Sequence, residues 1–276
     1  MTATLSGFAG LTAALDRLTD TGRTTLFWWR DDDAVAASPA LDRLLNLARS
    51  HAAPLALAVI PARLEPSLAQ RLTALEHDQW PAGRLALLQH GYSHTNNAPD
   101  GEKKCELGPH RPLPLTQGDL ATGWAQLEML AATGIGPARL LPVLVPPWNR
   151  IAPGLIPALP EMSYVGLSRF GRRLRPHPIA GLSEVNSHID PVDWRGRHGP
   201  LRAFVGEMPA LAAVITCLRA GPDEPLGLLT HHRDHDEDGW RFIDHLLGLL
   251  RRHPAARLVP AVDLFRPHPA NLDSAE

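Results

Sequence analysis

Three consecutive carboxylates, Asp31, Asp32 and Asp33, follow the apolar and aromatic run TLFWW and a single arginine, Arg30. Adjacent carboxylates repel one another, a cost that a bound cation would offset. The competing reading is a solvated turn capping a helix, because the segment SPALDRLLNLARSH follows and acidic groups favour helix N-termini. A second group weighs on the choice. His90 and His94 end another apolar run, RLALLQH, and two imidazoles four residues apart can converge on one ion if the backbone makes a helical turn. A carboxylate from another strand would complete a His₂-Asp set that leaves positions open for water and substrate, the pattern of a catalytic metal site.

The surrounding elements would have to bring these groups together. Residues 6–20 read as an amphipathic helix, with Phe8, Leu11, Leu15 and Leu18 at helical spacing. Short apolar runs at 25–30, 55–61, 84–90, 140–149, 164–170, 183–190, 226–232 and 256–265 read as strands. Helices are expected at 39–51, 65–77, 119–132, 202–220 and 238–253, with a polar loop rich in Pro and Gly over 96–118. Buried strands alternating with helices indicate parallel pairing, and seven or eight such units indicate a closed or nearly closed barrel. The fold expected is therefore α/β, a single barrel domain over 25–276 preceded by a covering helix within 1–24. In such a barrel the strand C-termini gather the functional groups. Those ends carry Asp31–Asp33, His90 and His94, then Pro146, Pro147, Trp148 and Asn149, then Asp190, Asp193 and Trp194, and finally His231 and His232.

Composition narrows the class. The chain is 44% hydrophobic and 20% charged with a net charge of −2, which argues against a nucleic-acid partner. The two cysteines, Cys105 and Cys217, make no disulfide framework. The first 23 residues lack the pattern of a secretory signal, and no apolar stretch reaches the length of a membrane span, so a cytoplasmic location without a membrane partner is expected. Oligomeric state has no sequence signal.

Taken in order, these motifs resemble the polysaccharide deacetylases, metal-dependent N-deacetylases with the nodulation-type chitooligosaccharide deacetylase domain, over about residues 25–265. Arg30-Asp31-Asp32-Asp33-Ala34 stands where that family has an aromatic, two aspartates and a glycine. His90 and His94 match its paired histidines. Pro146, Pro147 and Trp148 match part of its third motif, Asp190, Asp193 and Trp194 its fourth, and Leu228, Leu229 and His231 its fifth. The resemblance implies a distorted, incomplete (β/α) TIM-like barrel of about seven parallel strands. It implies one divalent transition metal, zinc or else cobalt, nickel or manganese, held by Asp33, His90 and His94. Asp32 would be the base, His231 the acid, and Asp190 the group orienting that histidine. Pro147, Trp148 and Trp194 would line a carbohydrate subsite.

The chain departs from that pattern in three places. The triple aspartate leaves open whether Asp31 and Asp32 or Asp32 and Asp33 are base and ligand; Asp32 and Asp33 place Ala34 at the family's glycine. Val145 stands where the third motif's arginine would hold the base, a charge that Arg30 could supply. Only one of His231 and His232 can face the site if the strand stays extended, and His231 fits the pattern. Trp28 and Trp29 read as packing residues. Asp234, His235 and Asp236 read as a solvated loop and a cap for the helix at 238 rather than a second metal site. Hydrolysis of a small cyclic amide or ureide on the same metal site, or a catalytically inactive sugar-binding relative, are the alternatives. A metal-dependent aldolase or isomerase is disfavoured because Lys103 and Lys104, both in the long loop, are the only lysines.

Overall fold

The computed structural model describes residues 7–75, 80–81, 83–135, 138–196 and 201–265. Residue 6 of the helix expected at 6–20, residues 76–77 of that expected at 65–77, and residues 1–6 of the N-terminal stretch read for a signal lie outside those residues. In chain order the elements are α1 (Gly7–Asp20), β1 (Thr25–Ala34), α2 (Pro39–Ser50), β2 (Leu55–Val59), α3 (Pro66–Ala74), β3 (Leu85–His90), α4 (Leu113–Ala132) and β4 (Ala138–Val145). They continue with β5 (Gly166–Leu167), β6 (Ser183–Glu184), α5 (Glu207–Ala220), β7 (Leu226–Thr230), α6 (Glu237–Arg252), β8 (Ala256–Leu258) and α7 (Ala261–Leu264). The strands form one parallel sheet in the order β6-β5-β4-β3-β2-β1-β7, with β8 paired to β1.

The sheet curls towards closure. After β6, Ile189 accepts from Leu229 N–H at 2.8 Å and donates to Gly227 O at 3.0 Å, joining the segment after β6 to β7. This is the distorted, incomplete barrel expected. No helix among the described residues is long and apolar enough to cross a membrane.

The period of two along each strand sorts side chains into two layers. Phe27 and Trp29, Leu55, Leu57 and Val59, Leu85 and Leu87, and Leu226 and Leu228 join the large core under α1, α2, α5 and α6. Trp28, Ala56, Ala58, Ala86, Leu88, Val143 and Val145 form a second cluster on the other face, in the barrel interior. Small alanines on β2 and β3 leave room there for the Trp28 indole, whose Nε1–H donates to Asn186 O at 3.1 Å. α2 starts as its sequence dictates, with Ser38 accepting from Leu41 N–H at 3.0 Å and Pro39 in its first turn.

Several boundaries differ from expectation. β1 continues through the aspartates to Ala34. α4 begins at Leu113, six residues earlier than expected, because Pro112 and Pro114 open it and its first turn needs no acidic cap. β5 and β6 shrink to two residues each; beyond them the pairing thins to an isolated Phe170–Ser187 bridge, with polar side-chain bonds of Arg169, Glu184 and Asn186 alongside it. The expected strand over 256–265 is β8 followed by α7, with Pro260 breaking the extended run.

Candidate active site

The alternation of β1 determines where its charged residues go. Arg30 and Asp32 share the interior parity of Trp28, whereas Asp31 shares the helix-facing parity of Trp29. Regular alternation would send Asp33 with Asp31. Instead the register with β2 shifts between Asp31 and Ala34, and Asp33 adopts φ 68°, a left-handed conformation uncommon for a residue with a Cβ. This bulge re-aims the third carboxylate at β3. Its Oδ1 lies 3.3 Å from His90 Nε2 and 3.3 Å from His94 Nε2.

His90 ends β3 on the interior side, in line with Ala86 and Leu88. His94 reaches the same point through a turn that is not helical, with left-handed φ of 54° at Gly91 and 58° at His94. The expected helical turn between the two histidines is therefore replaced by a loop. Gly91 is obligatory in it: a Cβ there would meet Glu106 Oε2 at 2.2 Å and Pro147 at 2.6 Å. Glu106, missed from sequence, holds this turn. Buried, it accepts from Ser93 N–H at 2.7 Å and from the Ser93 hydroxyl at 3.0 Å, with longer bonds from Tyr92 N–H. Gln89 braces the other side, donating to Gly91 O and Leu120 O and accepting from the Tyr164 hydroxyl at 2.6 Å. Neither contact has a sequence signal, because both depend on the path of the 96–112 loop and of α4.

Together Asp33, His90 and His94 offer three ligand atoms within 4.8 Å of one another. His90 Nδ1 faces Val145 O at 3.0 Å, and a carbonyl only accepts, so Nδ1 carries the proton. A neutral His90 ring then turns the Nε2 lone pair towards Asp33 Oδ1, which is buried and has no hydrogen-bond partner among the described residues. Acceptor faces acceptor, an arrangement that only a proton or a metal cation relieves. The residues fit a divalent ion by donor chemistry and by the carbonyl that orients His90. Burial works against ionising Asp33, but the close His90, with the charges of His231 and His94, holds its carboxyl well below the usual carboxylate range. Burial and the neighbouring His90 push His94 down to about 4, so it is neutral at pH 7, the state a ligand requires. For His90 the burial penalty is outweighed by Asp32 and Asp33, which raise it.

Asp32 is held by Arg30. The guanidinium, fully buried, places Nε 2.8 Å from Asp32 Oδ1 and donates from Nη2 to Oδ2 at 3.1 Å. Its remaining donors reach Asn149 Oδ1 at 2.8 Å and the Ser168 hydroxyl at 2.6 Å. The charge expected from a third-motif arginine thus arrives from β1, two residues from the aspartate it contacts. Val145 is buried in the interior cluster.

Asp31 takes a different partner. It accepts from the Thr230 hydroxyl at 2.7 Å and from His232, through N–H at 3.0 Å and Nδ1 at 2.5 Å. His231, of opposite parity, lies beside Trp194 with ring centroids 4.7 Å apart. Asp190 makes no hydrogen bond to His231 among the described residues; its Oδ2 accepts from the Trp194 indole at 2.7 Å and its Oδ1 from Val192 N–H. Burial raises the Asp190 carboxyl against the opposing influence of the nearby His231 charge. Trp148, at φ 55°, lies against His94 with ring centroids 4.3 Å apart and planes tilted by 55°, and Pro147 packs beneath Gly91. Asp236 caps α6 as expected through Gly239 N–H at 2.8 Å. His235 is not solvated: it is buried against Trp240, and its Nε2 accepts from His231 N–H at 3.0 Å. Burial pushes it down to about 3, which keeps that acceptor free of a proton.

No family model matches the chain, and no curated protein does. Solved structures match over most of its length. A putative polysaccharide deacetylase from Mycobacterium smegmatis is 12% identical with a TM-score of 0.62, over 88% of this chain and 89% of that one. A family 4 acetyl xylan esterase from Clostridium thermocellum in complex with a cobalt ion is 14% identical with a TM-score of 0.52, over 87% and 90%. A peptidoglycan deacetylase from Bacillus subtilis is 13% identical with a TM-score of 0.51, over 88% and 90%. At such identities the likeness concerns fold. The chain shares the distorted (β/α) barrel fold of these structures.

Proposed function

We propose that the protein is a metal-dependent hydrolase that removes an acyl group from an amide nitrogen, with an N-acetylated sugar as its substrate. The observation that carries this reading is the buried Asp33 oxygen facing two imidazole nitrogens at 3.3 Å with no hydrogen bond to either. Asp33, His90 and His94 would hold the ion; zinc suits this donor set, as do cobalt, nickel and manganese. When bound, the ion supplies Lewis acidity towards the acyl carbonyl and a lowered pKa for water.

The chain's own groups carry the protons. Asp32 takes the proton from the attacking water as the oxygen–carbon bond forms, and the Arg30 guanidinium pairs with Asp32 and aims it. His231 gives a proton to the amide nitrogen as the carbon–nitrogen bond breaks, releasing acetate and a free amine. Asp190 steadies Trp194, which lies beside His231. Pro147, Trp148 and the half-exposed Trp194 would form apolar walls for a sugar ring.

Acetate release from N-acetylglucosamine oligomers, with small cyclic amides assayed in parallel, tests the reading. Release by the wild type that is lost in Asp32→Asn is expected. Turnover of a cyclic amide with none of the sugars would overturn the substrate assignment.

A further inference from the structure

The proposed reaction leaves one aspartate of the triplet and one histidine of the pair unused, and the fold makes them each other's partner. Asp31 is fully buried and His232 nearly so. Period-two alternation puts both on the helix-facing side of the wall: Asp31 with Trp29 on β1, His232 with Thr230 on β7. Asp31 and Thr230 are direct neighbours in the β1–β7 register. The Asp31 carboxylate draws in three donors from the end of β7: the Thr230 hydroxyl, the His232 backbone N–H and His232 Nδ1. Trp29 Nε1–H closes the chain, donating to Thr230 Oγ1 at 2.9 Å.

His231 is the residue these bonds enclose. It lies between Thr230 and His232, both bonded to Asp31, and its own backbone N–H donates to His235. Its Nδ1 is buried with no hydrogen-bond partner among the described residues. No side-chain bond therefore aims the ring from that nitrogen, and the backbone on either side sets its position.

We propose that Asp31 and His232 form a positioning clamp that fixes the backbone of the general acid His231 opposite Asp32 and Asp33. The clamp works through backbone placement, since Asp31 lies on the other face of the strand from the substrate cleft. It acts as one unit: loss of either member releases the same turn. This inference rests on the deacetylase reading for His231's role, but the clamp itself can be tested without substrate.

The experiment compares wild type, Asp31→Asn, His232→Gln and the double variant, each loaded with zinc and confirmed folded by circular dichroism. Each single variant is expected to keep near-stoichiometric zinc and a near-wild-type KM while kcat falls about 10- to 100-fold, the range seen for outer-shell partners. The double variant should lose no more than the worse single one. In the same samples, histidine-ring NMR should show one strongly downfield Nδ1 proton in wild type that is absent in Asp31→Asn, with displaced His231 ring signals. Wild-type kcat in both single variants, losses that multiply, or unmoved His231 signals would each overturn the clamp. A wild type without deacetylase activity but with the NMR pattern intact would sink the functional reading and leave the clamp standing. If Asp31→Asn does not fold, His232→Gln, which keeps the Thr230 and backbone bonds, decides by the same kcat and NMR criteria.

Discussion

Asp31 and Asp33 are two residues apart on one strand and meet histidines in opposite ways. Around Asp31 the hydrogen bonds close: a hydroxyl, a backbone N–H and an imidazole N–H all point at the carboxylate. Around Asp33 they do not close: His90 donates its Nδ1–H to Val145 O, and in the neutral ring Nε2 presents a lone pair to an Asp33 oxygen that has no hydrogen-bond partner among the described residues. A satisfied pair organises a wall, whereas an unsatisfied one is a socket for a cation. Asp32, between them, is neither. It is neutralised by a fixed guanidinium and left as the carboxylate able to accept a proton.

The largest effects should come from the socket. His90→Ala/His94→Ala is expected to lose bound metal and all measurable hydrolysis, a fall beyond the roughly 10- to 100-fold typical of outer-shell changes. A metal-dependent rise in Tm should vanish with it. Ion at 100 times its Kd stabilises wild type by about 2.7 kcal/mol, and calorimetry with and without zinc should find that increment in wild type and in Asp31→Asn, but not in the double-histidine variant. Equal zinc stabilisation in all three would erase the distinction between the two aspartates.

Arg30→Ala comes next. It should lose most activity while the metal stays bound, and leaving Asp32 buried without its partner should cost about 3–5 kcal/mol of stability by chemical denaturation. Arg30→Lys should restore little, because an ammonium cannot make the forked contact and still reach Asn149 and Ser168. Wild-type turnover in Arg30→Ala would refute the role given to it.

Glu106→Ala should weaken metal binding about tenfold by releasing the 91–94 turn, measured by competition with a chelator, while Glu106→Gln keeps an acceptor and much of the affinity. Trp194→Ala should have the smallest effect, raising KM several-fold with kcat little changed, as befits a wall of the cleft.

Much of this was legible in the sequence because it follows strand periodicity. The apolar runs of β2, β3 and β7 are fully buried strands and those of β1 and β4 largely so, and their C-terminal ends carry the residues found in the cleft. The same period of two separates His231 from His232 and Asp31 from Asp32. What was not legible breaks that period. The bulge that turns Asp33 inward, the left-handed residues that bring His94 back to His90, and the carboxylate of Glu106 reaching the 92–93 amides from the long loop are long-range effects. A local pattern registers none of them. The 183–190 segment misled because its backbone bonds are split, to Val165, Leu167 and Arg169 first and then to Gly227 and Leu229, which leaves short β6 and isolated bridges in place of one long strand. His235 misled because its charged neighbours suggest solvent, while its ring lies against Trp240.

The most direct test is elemental analysis of protein purified without a histidine tag, wild type beside His90→Ala/His94→Ala, each incubated with zinc or cobalt and then desalted. About one equivalent of transition metal in wild type and none in the variant is the predicted result. A wild type that retains no metal after this treatment would contradict the account at its centre.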